Sequence, residues 1–153
     1  MKKWLITAAA LVCVCILGGC GSSGSKSRLQ DGCYTAQMED YSFGWLEYVT
    51  ITVKNGEIVS TEFNAENASG FVKSWDNAYM QNMAPISGTY PNEYTRFYAA
   101  QLTGQTDVPE IELIVGASSS GYHFQALAEA VVQQAIKGDS TLVLVPETNQ
   151  AEE

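Results

Sequence analysis

The run from Ile111 to Gly138 constrains this chain more than any other. Ile111, Leu113, Ile114 and Val115 read as a short apolar strand. Gly116 and Ala117 carry almost no side chain, so another body can approach the backbone there. Ser118, Ser119 and Ser120 follow, where a helix needs N-caps. Phe124, Leu127, Ala128, Val131, Ala135 and Ile136 then recur on one helical face. Lys137 stands in the last turn, and Gly138 suits the C′ position. Free backbone N–H groups and three hydroxyls therefore converge at a positive helix end, which suits a phosphate. The same pattern also describes a well-capped helix with no ligand.

The first residues read as an export signal. Lys2 and Lys3 form a basic start, and Trp4 to Ile16 an apolar core too short to predict a spanning helix. Leu17-Gly18-Gly19-Cys20 matches a lipoprotein cleavage box. Residues 1–19 are thus expected to leave. Cys20 then becomes the first mature residue and carries lipid on its sulfur, anchoring the chain at the extracytoplasmic face of the cell membrane. Residues 20–30 read as a flexible Gly/Ser/Lys linker. One domain is expected over 31–145, with a disordered tail at 146–153.

Charge and cysteine usage exclude several functions. Without Lys2 and Lys3, six basic residues face seventeen acidic ones, a net charge of −11. Such a surface disfavours nucleic acid and anionic headgroups, so the domain should stand off the membrane on its tether. Of the four cysteines, Cys13 and Cys15 leave with the signal and Cys20 is lipidated. Cys33 remains alone, so no internal disulfide is expected. With one histidine, His123, and no CxxC or HExxH, no metal site is expected.

The rest of the chain predicts an α+β domain: an antiparallel sheet packed by two or three helices. Cys33–Met38 reads as a first strand and Glu39–Gly44 as a turn. Trp45–Lys54 and Glu57–Phe63 read as a hairpin around a type I′ Asn55-Gly56 turn. Counting from that turn sets Val53 opposite Ile58, Thr52 opposite Val59 and Tyr48 opposite Phe63. Apolar residues on both faces predict partial cover of each. Asn64–Trp75 reads as loop. Asp76–Met83 reads as a short helix capped by Asp76, broken over Ala84–Gly88. A further helix opens near Pro91 and carries Tyr94, Phe97, Tyr98 and Leu102 as a core stripe. Gly104–Pro109 is loop, and Thr141–Val145 is a β-prone run that can close the sheet.

Over about Asp31 to Gly138 the chain resembles the FMN-binding domain family of bacterial membrane-attached and lipid-anchored proteins, which has a member in the sodium-pumping NADH:quinone reductase. Asp31-Gly32-Cys33-Tyr34 is similar to its D-G-x-Y opening. Gly44-Trp45, Val49, Ile51, Val53, Gly56 and Ile58 resemble its hairpin. Lys73, Tyr79 and Met80 match a K…Y-M segment. Glu112 to Ser120 resembles its D-x-x-[ST]-G-A-T-x-T signature, followed by Phe124. In that family the last hydroxyl of the signature can be esterified to the phosphate of FMN by a Mg-dependent flavin transferase.

Carried over, the acceptor is Ser120, and Gly116, Ala117, Ser118 and Ser119 complete the cofactor-binding elbow. Glu112 replaces an aspartate, and Val115 replaces a hydroxyl residue. The resemblance implies an extracytoplasmic electron carrier, taking electrons from a membrane donor, with FMN bound covalently or not. No residue then performs acid–base catalysis. Trp45, Tyr79, Met83 and Tyr122 are candidates for a wall beside the flavin ring.

Two other readings compete. The same fold without flavin gives a binding or interaction lipoprotein. Ala117-Ser118-Ser119-Ser120-Gly121 is also a near miss to the G-x-S-x-G of serine hydrolases, although the chain is short for that fold and His123 lies on the same helix.

Overall fold

The computed structural model describes residues 28–147. The signal, the lipidation site at Cys20, most of the linker and the end of the tail lie outside the described residues. The domain is α+β. Four strands, β1 (Gly32–Met38), β2 (Leu46–Lys54), β3 (Glu57–Glu66) and β4 (Val143–Val145), form one sheet in the order β3-β2-β1-β4. Neighbours among β1, β2 and β3 are antiparallel; β4 joins β1 in parallel at the edge. Three helices accompany the sheet: α1 (Asn77–Ser87), α2 (Pro91–Leu102) and α3 (Ser118–Lys137).

The hairpin turn has the geometry its residues demand. Asn55 and Gly56 both hold positive φ, as a type I′ turn requires. The register predicted from it is correct only for Val53 and Ile58. A bulge beyond that pair leaves Val59 over, so Thr52 meets Ser60, Tyr48 meets Asn64, and Phe63 meets Val49. The extra residue turns Val59 outward and brings Phe63 to the buried face.

Helices cover one face only. Glu47, Val49, Ile51 and Val53 of β2 are buried, while Thr52 and Lys54 are exposed. The opposite face satisfies itself with hydroxyls. Thr35 and Thr50 pair at 3.0 Å, and the Tyr48 hydroxyl donates to Glu62. The apolar residues expected on that face do not attract a second layer.

On the covered face, α3 crosses β1 and β2 while α2 lies along β3. Phe63, Tyr98 and Phe124 meet at the centre, with ring centroids 5.1–6.1 Å apart. The α2 stripe is therefore core, as its spacing predicts. Gly138 ends α3 in the left-handed conformation at φ 70°. Beside that end the incoming chain is tied down: Gln30 donates from its backbone to Ala135 O and from its side chain to Ile136 O.

Three further expectations are corrected. β3 continues to Glu66, and a single 3-10 turn at Lys73–Trp75 interrupts the predicted loop. Helix α1 does start from Asp76, whose carboxylate accepts from Tyr79 N at 2.9 Å, but it runs through Pro85 to Ser87. Proline's φ suits a helix, and Pro85 stands in the last turn, so only the final two residues follow it. Residues 111–115 form no strand. Their backbone groups go to α2 side chains instead. Gln101 both donates to Glu112 O and accepts from Glu112 N, and the Tyr98 hydroxyl accepts from Ile114 N. With no strand neighbour to pair with, the apolar run remains an irregular elbow.

Candidate functional site

The elbow and the start of α3 bring the predicted serines to different places. Ala117, not a serine, is the N-cap of α3, and no side chain caps the helix. Ser118 and Ser119 are exposed in its first turn. Ser120 is the third helical residue and is 8% exposed. Its hydroxyl turns inward and donates to Glu47 Oε1 at 2.7 Å. The expectation that the serines act as caps is thus corrected. Starting the helix at Ser118 aims Ser120 at the sheet.

Glu47 is the residue that joins sheet to helix. Its place in the β2 alternation puts a carboxylate on the buried face, where it needs partners. It has two. Ser120 occupies Oε1, and His123 Nδ1 lies 2.6 Å from Oε2. A carboxylate can only accept, so the ring donates. Burial pushes the Glu47 carboxyl up, but His123, Lys73 and Ser120 outweigh it and hold the group below its ordinary range. The hydrogen bond to Glu47 raises His123 above its ordinary value of 6.5, against desolvation.

Lys73 supplies the second cation. It is buried, and its ammonium lies 5.3–6.0 Å from the ring centres of Trp45, Tyr79 and Tyr94. Burial lowers its pKa, and Glu47 partly restores it. Glu47, Lys73, Tyr79, Tyr94, Ser120 and His123 line a cavity of about 140 Å³ with Ser42, Phe43, Met83, Gly116, Ala117 and Ser119. Its ionisable lining includes one carboxylate, one ammonium and one imidazole, at the N-terminal end of α3. Glu47 and Lys73 offset each other there, and Glu147 Oε1 lies 3.8 Å from His123 Nε2, so the helix N-terminus is what remains to attract an anion.

Gly116 closes the cavity differently from the expectation. Its φ is 88°, and a Cβ there would stand 2.0 Å from Ser87 O. The body that approaches this side-chain-free backbone is the end of α1. The elbow is thereby locked to the helix that carries Tyr79 and Met83.

No family model matches the sequence. A curated protein, the 15 kDa lipoprotein of Treponema pallidum, is 27% identical over 136 residues, which cover 88% of this chain and 94% of that protein. The crystal structure of the CPE2226 protein from Clostridium perfringens matches with a TM-score of 0.73 and 30% identity, over 78% of this chain and 99% of that one. The chain belongs to the same family as CPE2226. A solution structure from Clostridium thermocellum has 27% identity and a TM-score of 0.42.

Of the residues expected at the site, Gly116, Ala117, Ser119 and Ser120 line the cavity, and Ser118 does not. Among the candidate ring walls, Tyr79 and Met83 line it. Trp45 stands behind Lys73 in edge contact with Tyr79, and Tyr122 is exposed away from the lining. The hydrolase reading fails on geometry. His123 approaches Glu47 rather than Ser120, so the serine faces a carboxylate and no imidazole stands between them.

The Glu47–His123 pair predicts a pH dependence of stability. The lowered Glu47 contributes stability that is present above its ordinary 4.5 and lost as pH falls through its folded value. The raised His123 contributes stability that is complete below 6.5 and lost as pH rises through its folded value. Thermal unfolding followed against pH should therefore peak between the two and decline on the alkaline side. His123→Gln should flatten that alkaline decline; an unchanged decline would show that the pair is not its source.

Proposed function

We propose that this chain is a lipid-anchored envelope flavoprotein in which FMN is moored through its phosphate at Ser120. The observation that carries this reading is the Ser120 hydroxyl. It leaves the capping position, lines a cavity and meets a buried carboxylate beside a buried lysine. The residues fit the phosphate end of the cofactor. Lys73, His123 and the N–H groups opening α3 would hold its oxygens, and Ala117 keeps the helix tip free of a long side chain. The cavity is smaller than the roughly 300–1,000 Å³ that encloses a drug-sized ligand. It suits phosphate and the start of the ribityl chain. The ring would rest at the mouth, beside Met83 and the 95% exposed Phe43. When bound, FMN supplies one- and two-electron transfer.

The lipoprotein name of the Treponema relative and the Cys20 box in this sequence support the anchor. The extracytoplasmic face, the membrane electron donor and the flavin transferase follow from the resemblance. The test is the intact mass of the protein made together with a flavin transferase. A gain of FMN less one water, absent in Ser120→Ala, is the expected result. Flavin absorbance without added mass would mean tight non-covalent binding. No mass gain and no flavin uptake would leave the second reading, an interaction lipoprotein. That reading is favoured by the small cavity and by Val115, which stands 90% exposed where the resemblance calls for a hydroxyl residue.

A further inference from the structure

We infer that Glu47 is the base that takes the Ser120 proton when Ser120 becomes esterified, so that the acceptor protein brings its own catalytic carboxylate to the modification. The inference rests on the flavin reading above and deepens it. A serine hydroxyl attacks phosphorus well only if its proton has somewhere to go. In protein kinases an enzyme aspartate accepts the substrate hydroxyl's proton. Here the hydroxyl already donates to a carboxylate at 2.7 Å, within the reach a general base needs.

No neighbour competes for that role. His123 donates from Nδ1 to the other Glu47 oxygen, and its Nε2 faces Glu147 Oε1 at 3.8 Å, so both ring nitrogens face carboxylates and the raised imidazole is held as a cation. Lys73 is a cation caged by three rings. Tyr94 and Tyr98, facing from α2, and Tyr79, from α1, are phenols that burial keeps protonated.

The step balances. The Ser120 O–H bond breaks, and its proton goes to Glu47 Oε1. A bond forms from Oγ to the phosphorus of a flavin nucleotide activated as a phosphoanhydride, the co-substrate of the transferase. The phosphorus–oxygen bond of the anhydride breaks, and its electron pair leaves with the departing phosphate. The new ester oxygen carries no hydrogen.

The experiment is the steady-state rate of flavin attachment to the full chain by a transferase, read as intact mass, with unfolding curves on every variant. Glu47→Gln keeps shape and an acceptor oxygen but is no base. Its kcat should fall about 10²–10⁴-fold while the KM for the acceptor protein stays. Glu47→Asp keeps the charge that faces Lys73 and His123 but draws the oxygen back, and should fall between the two. If Gln does not fold, Asp alone carries the test. A wild-type kcat in either folded variant, or a loss confined to KM, overturns the role. A wild-type chain that never gains flavin, under a transferase that modifies a threonine-bearing acceptor, overturns the flavin reading and this inference with it.

Discussion

Phe124→Ala is expected to destabilise the domain by about 3–5 kcal/mol. Phe124 is fully buried near the start of α3, between Phe63 of β3 and Tyr98 of α2. It therefore touches the sheet and the neighbouring helix at once. Truncation removes the transfer free energy of the ring and leaves a cavity between three elements that cannot all close in. Relaxation is hindered further because Tyr98 is not free to follow. Its hydroxyl donates to Ala117 O and accepts from Ile114 N, so shifting its ring breaks the elbow's hydrogen bonds. Denaturant unfolding of the two proteins measures the difference. A loss below about 1 kcal/mol would mean that the helices close over the gap, and that the aromatic cluster does not carry the packing assigned to it.

Gly116→Ala is expected to cost about 2–5 kcal/mol, from left-handed backbone strain and overpacking together. The added methyl would lie 2.0 Å from Ser87 O, an atom of backbone that cannot rotate away. Either α1 or the elbow must move. Since Tyr79 and Met83 on α1 line the cavity that holds Ser120, the movement should also slow flavin attachment more than a distant substitution of equal cost. A useful comparison is Gly70, which also has positive φ, at 75°, but meets nothing within 4 Å of an added Cβ. Gly70→Ala carries strain without collision. Equal unfolding midpoints for the two variants would show that the contact with Ser87 is slack.

The sequence predicted the long helix and the hairpin turn correctly because each carries its own end signals. Apolar residues at helical spacing run from Phe124 to Ile136 and stop at Gly138, and Asn55-Gly56 has few alternatives to a tight turn. Strand register beyond that turn was not legible. The extra residue at Val59 has no local mark, and one uncounted residue exchanges the two faces. The elbow misled for a different reason. Four apolar residues look like a strand, yet their backbone partners are Gln101 and Tyr98 on a helix earlier in the chain.

At the site, Ser120 was singled out through the resemblance, and its inward aim was not legible. A helix start uncertain by a single residue decides whether a serine caps or faces the core. Glu47 was missed although its signal was present. Two residues before Val49, Ile51 and Val53, it continues their side of the strand, where a charge must find partners. The chain's only histidine was the partner to look for.

Gln30, bound to the last turn of α3, fixes where any leash enters the domain. Ser120 lies fifteen residues before Ala135 on that helix, roughly 20 Å away along its axis at about 1.5 Å per residue. Held from Cys20, the molecule would hang by one pole and offer the other. Gly138 would then mark the held end of the domain and Ser120 the free end.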